Sequence, residues 1–157
     1  MSVYSGTFTP TRGPDVPTEG DPIVQARESL RQAARAPFSA SRPMAWHGRF
    51  RELVLRAQSQ LSRHIVNAQM PGSPWSELRP EPRLQHLFDR QRDEHQALVC
   101  QAQQLVDGVD ESADIDIWRM IDLSEKAILL EIALARHHNR LVRMVYESTG
   151  VELDPAG

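Results

Sequence analysis

The chain has 157 residues, 40% of them hydrophobic, with a formal net charge of -3 and a pI near 6.1. That length supports one domain with its own core, and the mildly acidic balance gives no general drive toward nucleic acid. No apolar run approaches the roughly 20 residues that span a bilayer, the N-terminus lacks a basic-then-apolar signal pattern, and the single Cys100 excludes an intramolecular disulfide framework. The expectation is a soluble cytoplasmic protein without nucleic-acid or membrane partners.

Residues 1–20 carry Pro10, Pro14 and Pro17 and Gly6, Gly13 and Gly20 among Ser and Thr. Such a composition buries too little surface to offset ordering, which predicts a mobile tail. Tyr4 and Phe8 are its only aromatics and could dock on the bundle or on a partner. Asp21-Pro22 then reads as an N-cap and first helical position. Ile23, Ala26, Leu30 and Ala33 share one face of a short helix that Pro37 stops.

Ser41, two residues before Pro43, reads as a second helix start. From there Trp46, Phe50, Leu53, Ala57, Leu61, Ile65 and Ala68 recur at steps of three and four, the spacing of an amphipathic helix. Pro71-Gly72 ends it, and the segment through Trp75 to Pro82 reads as a loop. A third helix begins near Pro82, with Leu84, Phe88, Gln91, His95, Leu98, Ala102 and Leu105 on its seam and Gly108 as a left-handed C-cap. A fourth begins near Asp114 or Asp116. Its seam is Met120, Leu123, Ala127, Leu130, Leu134, His137, Leu141 and Met144. Ile117, Ile121, Ile128, Ala135, His138, Val142 and Val145 widen the stripe, as for a helix touching two neighbours, and Gly150 is a candidate cap.

No segment alternates with period two. The predicted fold is therefore all-α: an antiparallel four-helix bundle over 21–150 with one short N-terminal helix, followed by a tail at 151–157.

Histidines occupy seam positions on three of these helices: His64, His95 and the His137-His138 pair. An imidazole in a core costs free energy unless its nitrogens find partners. One such residue reads best as a core histidine bonded to a carbonyl. Imidazoles converging from three helices with a carboxylate nearby are how bundles hold iron or manganese. Glu131, on the stripe of Ile128, Ala135 and His138, is the best inward carboxylate, whereas Glu94 is expected to point aside. Level connections put His64 and His137 at similar heights and His95 on the order of 10 Å away along the axis. His47 reads as a bundle-edge or cap residue, His86 as solvated and Cys100 as a packed thiol. Trp75 and Trp118 flank loops and are expected to close the bundle ends. Arg136, Arg140 and Arg143 form a basic stripe, with Glu147 placed to pair with Arg143 at i+4.

From Trp46 onward the layout resembles a hemerythrin-like (HHE cation-binding) domain. The matching stretches are LSRHIVNAQ, RQRDEHQALVCQAQQL and LARHHNRLVRMVYESTGVEL, with the Pro-flanked RPEPRL between the first two. Against that pattern, Ala68 stands where a bridging Glu belongs and Val99 where a second His follows Glu94-His95. In the last helix, the His-x-x-x-Glu pair is broken at Leu134 or Leu141, depending on whether His138 or His137 anchors it. The resemblance implies metal-linked oxygen, redox or iron handling rather than substrate turnover. The reduced, mononuclear site would draw on His64, His95, His137 or His138, and Glu131. The alternative is a metal-free bundle serving homo-oligomer assembly or a protein partner, with the histidines as core relics.

Overall fold

A computed structural model describes residues 20–73, 82, 85–111 and 114–148. The expected tail at 1–19, Trp75, Leu84, Gly150 and the segment 151–157 lie outside the described residues. Within them the protein is an all-α helical bundle of four helices: α1 Pro22–Ala34, α2 Pro43–Gln69, α3 Gln85–Asp110 and α4 Ile117–Ser148.

The helix ends follow local chemistry. Asp21 caps α1, its Oδ1 accepting from the Ile23 amide at 3.0 Å, and Pro22 holds the first turn. Asp116 caps α4, accepting from the Arg119 amide at 2.7 Å. Each cap satisfies an otherwise orphaned donor. α2 begins at Pro43, but Ser41 is not its cap: the capping position is Arg42, without a side-chain bond, and Ser41 Oγ meets Ser39 Oγ instead. Gly72, at φ +82°, turns the chain after α2. Gly108 is not a C-cap either. It lies inside α3, which continues to Asp110, because its backbone keeps a negative φ and Asp107 O still accepts from the Glu111 amide.

α1 packs on α2 and α4, and α3 packs on the same two helices. Cross-helix pairs step down one helix as they step up the next. Arg51 meets Asp110, Gln58 meets Gln103 and His64 meets His95 between α2 and α3. Arg119 meets Gly108 and His137 meets His95 between α3 and α4. Ile23, Leu30, Phe50, Leu53, Leu61, Leu123 and Leu134 are fully buried, each stabilising the bundle by roughly 1.5–3 kcal/mol against exposure. Trp46 stacks on Phe50 with centroids 4.7 Å apart and takes the edge of Phe38 from the α1–α2 connection.

The broad stripe of α4 is only partly covered. α4 does touch two neighbours, and Ala135, His138, Val142 and Val145 are half-buried, yet Ile117, Ile121 and Ile128 are exposed. Ile121 and Ile128 lie on the side of α4 turned away from Leu123, Ala127, Leu130 and Leu134, and Ile117 lies past the end of α1, which runs about 20 Å beside an α4 of about 48 Å. Trp118 likewise closes nothing, being 76% exposed. Cys100 is exposed rather than packed; it lies two residues from both Leu98 and Ala102, hence on the opposite face of α3. Among the described residues no helix is long and apolar enough to cross a membrane.

Candidate metal centre

Three helices each place one histidine at the same level of the bundle. His64 on α2 and His95 on α3 take inward positions that their neighbours Leu61 and Leu98 also occupy, and His137 on α4 sits between Leu134 and Leu141. All three are buried, His137 completely. His64 Nε2 stands 3.4 Å from His137 Nε2, and His95 Nε2 stands 3.1 Å from it. One ligand atom from each lies within 4.8 Å of the others.

A carboxylate fixes the orientation of the central ring. His137 Nδ1 donates to Glu94 Oε2 at 2.9 Å. Arg90 Nε holds Glu94 Oε1 at 3.2 Å. Arg140 Nε lies 2.8 Å from the same oxygen, an ion pair whose N–H is poorly aligned for a hydrogen bond. Burial pushes the Glu94 pKa up, but the hydrogen bond from His137 and the Arg140 guanidinium outweigh it and hold the carboxyl below its ordinary value. Glu94 is thus an anion that keeps the His137 proton on Nδ1, leaving Nε2 as a bare lone pair aimed at the other two imidazoles.

All three imidazoles resist protonation. Burial, and then the charge each neighbouring ring would carry, push His64 down to about 3. Burial with His137 alongside pushes His95 down to about 4, although Glu94 pulls the other way. Burial also lowers His137, against the raising effect of Glu94. Neutral imidazole is the form that ligates metal.

The two separations from His137 match nitrogens that share one ion. Nitrogens about 2.0–2.1 Å from a shared centre stand about 3.3–3.4 Å apart at tetrahedral angles and about 2.8–3.0 Å apart at octahedral ones. The observed 3.1 and 3.4 Å fall between those limits. Three imidazoles suit iron, zinc, copper or another borderline divalent cation, and a three-ligand set leaves a position for water or a small molecule. Without an ion the arrangement is less well satisfied. The His137 Nε2 lone pair accepts one well-aligned N–H, yet two ring nitrogens face it.

The other expected ligands sit elsewhere. Glu131 turns to α1, where Arg27 Nε holds its Oε1 at 2.9 Å and Arg31 Nη2 at 3.0 Å. His138 is half-buried; burial lowers its pKa, with Asp21 and Arg27 of α1 as its charged neighbours. Of the adjacent pair, His137 joins the cluster and His138 faces away from it toward α1. The residues at the departures from the hemerythrin-like pattern do not reach in with oxygen ligands: Ala68 is half-buried, Val99 is 46% exposed, and Leu134 and Leu141 are packed in the core. A two-ion centre bridged by carboxylates does not fit this donor set.

Glu94 is the residue that sequence reasoning misplaced. Its spacing put it beside the seam rather than on it, and beside the seam is where a side chain can reach the far nitrogen of a neighbouring helix's histidine. The 10 Å offset expected for His95 is absent as well. α3 begins ten residues before His95 whereas α2 ends five residues after His64, so α3 overhangs α2 by about 8 Å and draws His95 level. His47 does act as an edge residue, with Nε2 2.9 Å from the Val109 carbonyl oxygen, and His86 is exposed.

No protein-family model matches the chain, and neither a curated protein nor a solved structure matches it.

Proposed function

We infer that this chain is a divergent hemerythrin-like protein, an antiparallel four-helix bundle that binds a single metal ion, with iron the first candidate. His64, His95 and His137 are the ligands, and Glu94 orients His137 from behind. The observation that carries the reading is the convergence of three neutral Nε2 atoms, one anchored through its other nitrogen by a carboxylate. That pairing is the habit of metal-bound histidine. With a position left open and no candidate general acid or base beside it among the described residues, the site suits binding or sensing in oxygen, redox or iron handling better than turnover. Elemental analysis and an absorption spectrum of protein purified without chelator test the reading. It expects close to one metal per chain; less than about a tenth, unchanged after loading with iron, zinc, copper or manganese, would overturn it.

A further inference from the structure

The solvent side of α4 carries a stripe that nothing among the described residues covers. Trp118, Ile121, Ile128, Leu129 and Ile132 are all exposed, at 38–76%. Their spacing puts them on the face opposite Leu123, Ala127, Leu130 and Leu134. Monomeric domains seldom expose a contiguous run of large apolar side chains of this kind. Charged residues lie on the same face, Glu125 within the stripe and Arg136, Arg143 and Glu147 beyond it, and neither Glu125 nor Arg136 has an ion-pair partner among the described residues.

The order of these residues is self-complementary. If a second α4 is laid antiparallel with the two-fold axis between Leu130 and Glu131, Leu129 falls opposite Ile132 of the other copy, and Ile132 opposite Leu129. In that same register Glu125 falls opposite Arg136, and Trp118 opposite the exposed Arg143. An isologous interface must satisfy each contact twice by symmetry. Here one register supplies an apolar centre, two opposite-charge pairs and two cation–aromatic pairs at the ends. The face is also free of any metal ligand, so pairing leaves the histidine cluster untouched.

We propose that the protein forms a two-fold symmetric homodimer through this face of α4, the two helices antiparallel and centred on Leu129 and Ile132. Glu125 and Arg136 set the register, because opposite charges flanking an apolar seam select partner and orientation more than they add affinity.

The test is light scattering and sedimentation of the full chain over a concentration series, with chelator present so that metal occupancy plays no part. The expected result is a dimer. Leu129→Glu with Ile132→Glu should yield a monomer; both residues are exposed, so the circular dichroism and melting of that variant should stay close to the parent's. Glu125→Arg alone, and Arg136→Glu alone, should each weaken dimerisation by about tenfold or more, since each places two like-charge pairs across the seam. The two reversals combined should restore it. A wild-type monomer at about 100 µM overturns the proposal, including the case in which residues 1–19 cover the face. So does a dimer that survives the Leu129 and Ile132 changes, or a double reversal no tighter than the singles.

Discussion

Glu94 and His137 are joined at 2.9 Å across α3 and α4, the carboxylate accepting from Nδ1 while Nε2 faces the other two imidazoles. The pair converts a core histidine into an oriented one. Removing the carboxylate's charge while keeping its shape should therefore weaken metal binding without unfolding the bundle. Glu94→Gln is expected to lower metal affinity by about 10–100-fold, read by competition with a chelator of known affinity.

The ligand assignment predicts opposite consequences for metal content and for metal-free stability. His95→Leu should abolish stoichiometric metal, while the chelated protein melts no lower than the parent, because an apolar side chain of similar volume removes a poorly satisfied polar cluster. Metal content and melting of both forms check the two halves.

Glu131 should behave in the reverse sense. Glu131→Gln breaks the α1–α4 ion pairs with Arg27 and Arg31, which are partly buried, and should cost about 1 kcal/mol in urea unfolding. Metal stoichiometry should not move. Loss of metal in this variant would place Glu131 in the site after all.

Metal-free stability should fall in acid. In the unfolded chain His64 and His95 take up protons near 6.5, whereas in the bundle they are held down to about 3 and about 4. The unfolded state thus binds more protons through that window. Stability is fully present above about pH 6.5 and is lost as pH falls toward 4, by up to about 1.4 kcal/mol per pH unit for each histidine. Denaturant melts with chelator from pH 8 to 5 measure the slope, and His64→Leu should flatten it.

Gly108 lies in the interior of α3 without a positive φ, and a Cβ there meets Leu123 Cδ2 at 3.6 Å and Arg119 Nη2 at 3.7 Å, ordinary contact distances. Gly108→Ala should stabilise the bundle by about 0.5–1 kcal/mol, by easing the entropic cost of ordering glycine in a helix. Thermal melting checks it.

Helices were legible in the sequence because periodicity is local, whereas of the caps Asp21 was readable and Ser41 and Gly108 were not. The steps from Trp46 to Leu61 and the Asp21-Pro22 start appear in the structure as read. Which histidine of the 137–138 pair turns inward was not legible, since the two straddle a broad stripe and the choice rests on which neighbour α4 meets there: α3 claims His137 and α1 claims His138 and Glu131. Nor was the common level of the three imidazoles, which depends on how far α3 overhangs α2. That quantity is set by the connection between them and not by either helix's own pattern. Glu94 was misread for the same reason, a helical wheel describing one helix and saying nothing of reach to the next.

The three imidazoles come from α2, α3 and α4, with His137 lying 73 residues from His64 and 42 from His95 along the chain, and α1 contributes none. An ion at their meeting point would act as a knot, closing two long loops at once and tying three of the four helices while leaving the shortest outside. Metal loading should then slow amide exchange through α2, α3 and α4 together. α1, secured by its apolar face and its arginines, would keep its own rate of opening and become the loose leaf of an otherwise bound volume.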